Sequence, residues 1–258
     1  MEMFSLKGKV AVVTGGYGHL GKAMSEALHD AGATVIVAGR SEEKFNSVFK
    51  AEQGYCFIET DISKTKSIQN CFEKTKKKFS RIDILINNAV YMAGGGKKPE
   101  EITDEDWAIC MDGVSGSVFK CIREVIPYMH KRGGSIINIS SMYGVVSPDF
   151  SLYETSCSPF FNPVNYGAAK AAVVQMTKYW ATYLAKENIK VNCISPGTFP
   201  TQKVQENQEF VERLTKKNPA NRIGLPEDIK GTIVFLASDA SKYIIGQNLM
   251  VDGGWTIW

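Results

Sequence analysis

Short apolar runs alternate with longer amphipathic stretches along the chain, and this alternation predicts its fold. The apolar, β-rich runs occupy residues 10–13, 34–38, 55–58, 82–86, 135–139, 190–194 and 248–251. Apolar residues at helical spacing occupy stretches between them, among which are 63–79, 104–131, 166–186 and 226–237. Nearly continuous apolar strands that alternate with helices indicate a parallel sheet with helices on both faces. We therefore predict an α/β fold that is doubly wound and Rossmann-type, with a seven-stranded parallel sheet.

Length and composition indicate one domain that spans residues 1–258. No Pro/Ser-rich linker, low-complexity tract or internal repeat interrupts the sequence, and an apolar fraction of 44% is ordinary for a globular protein. The first residues lack the basic head and apolar stretch of a signal peptide, and no apolar run approaches the length of a membrane span. We therefore expect a cytoplasmic protein that has no membrane partner.

Charge and cysteine content argue against two further kinds of function. A formal net charge of +3 is too small to indicate nucleic-acid binding, and the lysine cluster at residues 74–78 has no interleaved aromatic residues to stack on bases. The six cysteines are scattered, without a C-x-x-C motif or a neighbouring histidine pattern. We therefore expect reduced thiols, no metal and no nucleic-acid partner.

A glycine-rich turn joins the first apolar run to the first amphipathic stretch. Gly16, Gly18 and Gly21 fit the G-x-G-x-x-G fingerprint in its strand, turn and helix setting, and a second β-rich run follows Gly32. The missing side chains allow a tight bend and a close approach to a pyrophosphate, whose charge the N–H groups at the start of the helix attract. We predict a dinucleotide-binding βαβ unit here.

The chemistry at the end of the second strand bears on the choice of dinucleotide. Ligands of an open α/β sheet bind beyond the carboxyl ends of its strands, where residues 15–21, 39–41, 61–62, 87–90, 140–141 and 196–197 are expected. A carboxylate after the second strand would accept a hydrogen bond from an adenosine ribose 2′-hydroxyl, whereas an arginine would pair with a 2′-phosphate. Here the chain reads Gly39-Arg40-Ser41, with no acid before Glu42. We therefore favour NADP(H), with NAD(H) as the alternative.

Tyr166 and Lys170 lie four positions apart where an amphipathic stretch begins, so they share one face of the predicted helix. A free tyrosine has a pKa of about 10 and is a weak acid–base group at neutral pH. A nearby ammonium group favours the phenolate and lowers the pKa of the phenol. The pair therefore predicts general acid–base catalysis.

Together these motifs resemble those of the short-chain dehydrogenase/reductase family, from Lys9 to the end of the chain. The matching features are the glycine turn, Asp61, Asn87-Asn88-Ala89, Ile139-Ser140-Ser141, Tyr166-Gly167-Ala168-Ala169-Lys170, Ser195-Pro196-Gly197 and Val251-Asp252-Gly253-Gly254. The resemblance implies an oxidoreductase that transfers a hydride between a nicotinamide cofactor and a small-molecule carbonyl or secondary alcohol. The length and the Val-Asp-Gly-Gly element are similar to the shorter branch of the family.

The resemblance also implies a role for each matching residue. Tyr166 would exchange a proton with the substrate oxygen, and Ser141 would hydrogen-bond that oxygen. Lys170 would lower the pKa of Tyr166 and hold the nicotinamide ribose. The expected cofactor-binding residues are Gly15, Tyr17, Gly18, His19, Leu20, Gly21, Arg40, Ser41, Asp61, Ile62, Asn88, Ala89, Tyr166, Lys170, Pro196, Gly197 and Thr198.

Two departures from the family pattern keep other functions open. Gly15, Gly18 and Gly21 also fit the G-x-x-G-x-x-G spacing of the extended branch, so a sugar-nucleotide epimerase or dehydratase with a recycled cofactor is one alternative. The helix asparagine that commonly completes the catalytic tetrad is absent from residues 111–116, where Asp112 is the candidate substitute. A non-enzymatic nucleotide-binding protein is the other alternative.

The interval between Ser141 and Tyr166 is longer than is usual in this family and is rich in prolines, aromatics and polar residues. We expect an insertion at about 145–165 that covers the substrate pocket, with a surface excursion or subunit contact as the alternative. Tyr153 and Glu154 are the expected polar substrate contacts, beside Ser141 and Tyr166. The insertion is similar to that of a bacterial subgroup linked with sugar and flagellin-glycan modification, which favours a sugar-like substrate.

Trp255, Ile257 and Trp258 place large apolar side chains near the end of the sequence. We expect them to pack on the protein's own core or across an interface. The family resemblance implies a homodimer or homotetramer, built through the stretches 104–131 and 166–186.

Overall fold

The structure is a computed structural model that describes residues 2–49, 54–153 and 162–257. Its strands are β1 (Val10–Thr14), β2 (Thr34–Gly39), β3 (Cys56–Glu59), β4 (Ile84–Asn87), β5 (Gly134–Ile139), β6 (Ile189–Pro196) and β7 (Asn248–Val251). They form one seven-stranded sheet with the order β3-β2-β1-β4-β5-β6-β7, and every adjacent pair is parallel. The predicted parallel sheet is therefore confirmed.

Helices cover both faces of the sheet. They are α1 (His19–Asp30), α2 (Glu42–Val48), α3 (Thr65–Phe79), α4 (Asp104–Met111), α5 (Ser117–Met129), α6 (Val164–Leu184), α7 (Gln202–Gln205), α8 (Gln208–Lys216) and α9 (Lys230–Ala237). Successive strand residues point to opposite faces, so Val12 joins a core with α3, α5 and α6, whereas Val13 joins a core with α1 and α9. This doubly wound arrangement is the one that the hydrophobic pattern predicts.

The order of the strands reverses between β1 and β4, at the centre of the sheet. From β1 the chain proceeds outward to β2 and β3, and it then returns to β4 on the other side of β1. The crevice at such a reversal is where doubly wound sheets bind their ligands. The glycine turn follows β1 and Asn88 follows β4, so the topology brings both to this crevice.

The stretch predicted as one helix from 104 to 131 consists of two helices, α4 and α5, joined by a π-helical turn at Asp112–Gly116. Gly113 allows this turn to lie close to the loop after β4, because a Cβ there would lie 1.9 Å from the carbonyl oxygen of Tyr91. The prediction of a continuous helix is wrong. A π-helical turn contains one residue more than an α-helical turn, and the spacing of apolar residues does not reveal it. π-helical turns are frequent at functional sites.

Three short helices, α2, α7 and α8, lie outside the predicted stretches. The hydroxyl of Ser41 caps α2 by accepting a hydrogen bond from the Lys44 N–H at 3.1 Å. Gly32, at φ 101°, follows the end of α1 as the sequence indicates. Among the residues that the structure describes, none of the helices has the length and apolar character needed to cross a membrane.

Candidate active site

The glycine turn after β1 is a cradle with almost no room for side chains. Gly15 has a φ of 63°, and a Cβ on Gly21 would lie 2.1 Å from the Gly15 carbonyl oxygen. A Cβ on Gly16 would lie 2.8 Å from the hydroxyl oxygen of Ser25. The N-cap of α1 is Gly18, which has no side chain to cap the first N–H groups of the helix. The space and the helix dipole therefore both suit a pyrophosphate.

The loop after β4 is fixed against this cradle by Thr14 and Asn88. The Thr14 hydroxyl accepts hydrogen bonds from the backbone N–H groups of Asn88 at 3.0 Å and Ala89 at 3.1 Å. The side-chain amide of Asn88 donates to the carbonyl oxygens of Thr14 at 3.0 Å and Gly15 at 3.2 Å. Both lining residues of this loop are therefore held in place by the strand that precedes the glycine turn.

A cleft of about 250 Å³ opens between the glycine turn and the ends of β2, β3 and β4. Of the expected cofactor-binding residues, its walls contain Gly15, Tyr17, Gly18, Arg40, Asp61, Ile62, Asn88 and Ala89. Three others, His19, Leu20 and Gly21, lie in the first turn of α1, outside these walls. Ser41 caps α2 next to Arg40. The structure thus gathers the residues expected at the adenosine and pyrophosphate end around one opening.

The cleft wall contains two charged residues, Asp61 and Arg40, and they differ in how many hydrogen-bond and ion-pair partners they have in the protein. The carboxylate of Asp61 accepts hydrogen bonds from the Ser63 hydroxyl at 2.7 Å and the Ser63 N–H at 3.0 Å, and it lies 3.3 Å from the Lys64 ammonium. The hydrogen bond from the Ser63 hydroxyl is the main reason that the pKa of Asp61 is lowered. The Arg40 side chain is exposed, and within the described ranges it has no hydrogen-bond or ion-pair partner. The cleft therefore presents a free guanidinium group and a carboxylate that is already engaged.

Ser141, Tyr166 and Lys170 come together beyond the carboxyl end of β5. Ser141 follows that strand, and the other two lie one turn apart near the start of α6. The Ser141 oxygen accepts a hydrogen bond from the Tyr143 N–H at 3.2 Å. Burial raises the pKa of Tyr166 above its ordinary value, and a hydrogen bond with Ser141 opposes part of this rise. The phenol is therefore protonated at neutral pH in the structure.

Lys170 lies deeper than a motif alone would indicate. Only 3% of the residue is exposed, and its ammonium group donates to the Ile139 carbonyl oxygen at 2.8 Å. It lies 5.6 Å from the centroid of the Tyr166 ring. Burial lowers the pKa of Lys170 to about 8. The lowered pKa that the sequence analysis expects for Tyr166 is not found here, because burial outweighs the other influences on the phenol.

Pro196, Gly197 and Thr198 form the end of β6 and the start of the following loop. A Cβ on Gly197 would lie 2.6 Å from the Cα of Asp252, so the chain passes close to the end of β7. The Thr198 hydroxyl is buried, and it has no hydrogen-bond partner among the described residues. A buried hydroxyl is costly unless it is paired, so this one fits a polar ligand group or a water molecule.

Two tyrosines occupy the side of the site where the insertion begins. The hydroxyl oxygens of Tyr143 and Tyr153 lie 3.2 Å apart, and burial raises the pKa of both phenols. The sequence pattern points to Tyr153 as a substrate contact but not to Tyr143, although Tyr143 lies only two residues after Ser141. Glu154, the other expected substrate contact, lies outside the described residues, as does Trp258.

An apolar cluster includes Tyr153 and packs against Tyr143. Its buried members come from the turn after β5, the insertion, α8 and the end of the chain: Met142, Leu152, Tyr153, Leu214 and Trp255. Asp149 in the insertion also pairs with Lys217, which follows α8, at 2.5 Å. Residues 145–153 of the insertion are thus packed against α8. Ile257, by contrast, is 81% exposed. Residues 154–161 of the insertion are not described.

Asp112 has partners other than those of a proton relay. Its carboxylate accepts hydrogen bonds from the Lys120 ammonium at 2.8 Å and from the phenol of Tyr91. This arrangement connects the π-helical turn to the loop after β4, and it gives Asp112 no hydrogen bond to Tyr166 or Lys170. The idea that Asp112 replaces the missing asparagine therefore finds no support in the geometry.

The residues present fit a dinucleotide. A Cβ would fill the glycine cradle. Among the described residues no group pairs with the cation of Arg40 at one end or with the buried hydroxyl of Thr198 towards the other. In the described part of the chain, no group of three or more His, Cys, Asp or Glu side chains is arranged to hold a metal ion. The expectation of metal-free chemistry stays a prediction.

Comparison with known proteins finds relatives along nearly the whole chain. Residues 18–256 match the family described as enoyl-(acyl carrier protein) reductase. The chain is 36% identical to the 3-oxoacyl-(acyl-carrier-protein) reductase FabG of Thermotoga maritima, over 98% of this chain and 99% of that protein. It is 33% identical to the 2-dehydro-3-deoxy-D-gluconate 5-dehydrogenase of Dickeya dadantii, over 99% and 98% of the two chains.

A solved structure with a bound dinucleotide is also similar. This is the gluconate 5-dehydrogenase of Burkholderia cenocepacia in complex with NADP and tartrate, which matches with a TM-score of 0.86 and 28% identity. The match covers 98% of this chain and 97% of that one. The likeness therefore extends over the whole sheet and both helical layers.

Proposed function

The chain belongs to the short-chain dehydrogenase/reductase family of NAD(P)-dependent oxidoreductases, and from this premise we propose that it uses NADP(H) on a small, sugar-like carbonyl or alcohol. Ser141, Tyr166 and Lys170 are its catalytic residues in this proposal. The observation that carries the proposal is the convergence of these three side chains beyond β5, on the same edge of the sheet as the nucleotide cleft.

In the reductive direction, the substrate carbonyl oxygen accepts hydrogen bonds from Ser141 and Tyr166. The reduced dinucleotide, when bound, supplies the hydride that the carbonyl carbon receives. Negative charge then develops on the substrate oxygen, and Tyr166 transfers its phenolic proton to that oxygen. The raised pKa of Tyr166 keeps this proton in place before the reaction. In the oxidative direction the phenolate receives the proton from the alcohol.

Lys170 stabilises the phenolate form of Tyr166 and holds the nicotinamide ribose in this scheme. Its ammonium group lies beside the ring of Tyr166, in a buried environment where charges interact strongly. The remaining members of the expected set, His19, Leu20, Gly21, Pro196 and Gly197, contribute main-chain contacts and space rather than charge.

The preference for NADP(H) rests on charge. Within the described part of the chain Arg40, at the cleft edge, has no side-chain partner. Asp61, the one carboxylate among the described residues that line the cleft, is held by Ser63 and Lys64. A guanidinium group pairs well with a phosphate. The NADP complex of the similar gluconate 5-dehydrogenase is consistent with this choice.

A polyhydroxylated substrate is supported by two observations. Tyr143 and Tyr153 place hydroxyl groups within 3.2 Å of one another near Ser141, and burial keeps both phenols protonated. Two of the similar proteins are dehydrogenases of gluconate-type compounds. We include Glu154 as a further substrate contact on the strength of its sequence position alone.

Replacing Tyr166 with Phe tests the catalytic assignment. We expect Tyr166→Phe to lower turnover by about 10²-fold to 10⁴-fold, because the proton donor is lost, while NADPH still binds in a fluorescence titration. Tyr243→Phe is the matched control, since that tyrosine is 96% exposed. Turnover retained in Tyr166→Phe would refute the assignment.

The substrate class is tested with pairs of carbonyl compounds. Keto-sugars and keto-aldonates should be reduced with a higher kcat/KM than ketones of the same length without hydroxyl groups, measured as NADPH oxidation. Equal rates on both members of each pair would overturn the sugar-like class. Cofactor that stays bound through purification, with no net oxidation of NADPH by any of the compounds, would instead favour an epimerase or dehydratase.

The protein's assembly and location are further parts of the proposal. Exposed aromatic side chains on α5 and α6, namely Phe119, Tyr179 and Tyr183, support a homodimer or homotetramer built through these helices. Sedimentation analysis would measure the subunit number. A single domain over residues 1–258, with the insertion at about 145–165 as a substrate cover, and a cytoplasmic location complete the proposal.

A further inference from the structure

Tyr17 lies across the end of β2, at the edge of the nucleotide cleft. Its hydroxyl oxygen accepts hydrogen bonds from the backbone N–H of Arg40 at 3.0 Å and of Ser41 at 3.2 Å. Its ring packs on Gly39, where a Cβ would lie 2.4 Å from the ring carbon Cε1. The side chain of Tyr17 thus reaches from the glycine turn to the end of β2. Its ring occupies the space that the missing side chain of Gly39 leaves.

The hydrogen bonds of Tyr17 determine what it can offer to a ligand. A phenolic oxygen has one proton and two lone pairs, and the two backbone N–H groups already occupy both lone pairs. The hydroxyl can therefore only donate to a further partner. The guanidinium group of Arg40, the residue after β2, likewise can only donate hydrogen bonds. This edge of the cleft consequently presents donors.

A set of donors distinguishes between the two dinucleotides. A ribose 2′-hydroxyl needs an acceptor for its proton, whereas a 2′-phosphate offers only acceptor oxygens at neutral pH. Asp61, which could accept from a 2′-hydroxyl, is already bonded to Ser63 and Lys64. The donors of Tyr17 and Arg40 therefore match a phosphate better than they match a 2′-hydroxyl.

We propose that Tyr17 is a specificity-determining residue, whose phenol donates a hydrogen bond to the 2′-phosphate of NADP(H). Arg40 supplies the charge, and Tyr17 supplies a neutral donor whose direction is fixed by the N–H groups of Arg40 and Ser41. This inference rests on the proposed function, since it requires that the cleft holds the adenosine end of a dinucleotide.

Adenosine nucleotides without the nicotinamide test this subsite in isolation. Isothermal titration calorimetry of the full chain with 2′,5′-ADP and with 5′-AMP compares ligands that differ only in the 2′-phosphate. We expect Tyr17→Phe to weaken 2′,5′-ADP binding about tenfold, as for one hydrogen bond to a charged group, and to change 5′-AMP binding by less than about twofold. The same ratio should appear with NADPH and NADH.

A second phenol of the cleft provides the matched control. Tyr91 lines the same cleft, but its hydroxyl is bonded to Asp112, so Tyr91→Phe should change the binding of both nucleotides by the same factor. Arg40→Gln is the second test variant, because its exposed side chain can be replaced without disturbing the ring of Tyr17. It should weaken 2′,5′-ADP binding at least as much as Tyr17→Phe does. Thermal unfolding of each variant verifies that it is folded.

Each outcome bears on a different part of the proposal. Equal losses for 2′,5′-ADP and 5′-AMP in Tyr17→Phe would show that Tyr17 only shapes the cleft, which overturns the inference. Tighter 2′,5′-ADP binding in that variant would show that the phenol competes with the phosphate for the two N–H groups, and it would also overturn the inference. A wild-type protein that prefers 5′-AMP would overturn the NADP(H) preference of the proposed function itself.

Discussion

The phenol of Tyr91 donates a hydrogen bond to the carboxylate of Asp112, and this contact joins the loop after β4, which lines the cleft, to the π-helical turn. Asp112 also pairs with Lys120 at 2.8 Å, and the same ammonium group donates to the carbonyl oxygen of Ser63 at 3.2 Å. Burial would raise the pKa of Asp112, but the hydrogen bonds from Lys120 and Tyr91 lower it overall. One carboxylate thus connects the π-helical turn with the loops after β3 and β4.

Replacing Asp112 with Asn removes the charge of this network with little change in shape. We expect Asp112→Asn to weaken NADPH and NADH binding alike, by up to about fivefold, because a partly exposed ion pair contributes up to about 1 kcal/mol. Fluorescence titration measures the affinities, and hydrogen exchange should increase in residues 61–63 and 88–91. Asp104→Asn, at an exposed position in α4, is the control. A change confined to one coenzyme would contradict a purely positioning role.

Gly113 is the residue that lets the π-helical turn approach Tyr91. A Cβ there would lie 1.9 Å from the Tyr91 carbonyl oxygen, and neither backbone segment can yield cheaply. We expect Gly113→Ala to lower the free energy of unfolding by about 1–3 kcal/mol, as measured by denaturant titration. In the control Gly231→Ala, where the Cβ meets open space in α9, stability should instead rise by about 0.5–1 kcal/mol. Equal effects in both variants would contradict the steric explanation.

The sheet could be predicted from the sequence because buried parallel strands are nearly continuous apolar runs. Val10–Thr14 and Ile189–Pro196 are each buried along almost their whole length, so their composition alone identifies them. The π-helical turn could not be predicted in this way. It depends on the fit between Gly113 and a loop that lies more than twenty positions earlier in the chain, which local periodicity does not contain.

The candidate site shows the same division. Motif spacing identifies Ser141, Tyr166 and Lys170 as candidates. Ser141 lies where a strand ends, and Tyr166 and Lys170 lie one helical turn apart, so their relative positions follow from secondary structure. The environment of Lys170 and the bonds of Tyr17 to Arg40 and Ser41 depend on tertiary contacts. Burial determines the pKa of a side chain, and the direction of its hydrogen bonds determines whether it can still donate. Residue spacing indicates neither burial nor hydrogen-bond direction.

Trp255 supports the insertion from the end of the chain. It is 8% exposed and packs in the cluster with Met142, Leu152 and Leu214, next to Tyr153. We expect Trp255→Ala to raise the KM for the carbonyl substrate more than it lowers kcat, because truncation of a buried Trp costs about 3–5 kcal/mol of local packing. Steady-state kinetics measure both, with Ile257→Ala at an 81% exposed position as the control. An unchanged KM would show that the cluster does not shape the substrate pocket.

The burial of Lys170 makes a prediction about stability as well as activity. Its folded-state pKa of about 8 lies below the ordinary lysine value of about 10.4. Between these pH values the unfolded chain binds a proton that the folded protein lacks, so this residue makes stability rise with pH across that window. Below pH 8 both states are protonated, and the full penalty for the buried charge, roughly 3 kcal/mol, is present.

Lys170→Met removes this penalty together with the ammonium group. We expect the variant to lose turnover at every pH, and its free energy of unfolding relative to the wild type to be most favourable below pH 8 and to decline towards pH 10. Denaturant titrations at several pH values measure the difference, in which the other titrating groups, common to both proteins, largely cancel. Lys178→Met, an exposed lysine on the same helix, should show a difference that does not vary with pH. A pH-independent difference for Lys170→Met as well would mean that position 170 carries no buried charge.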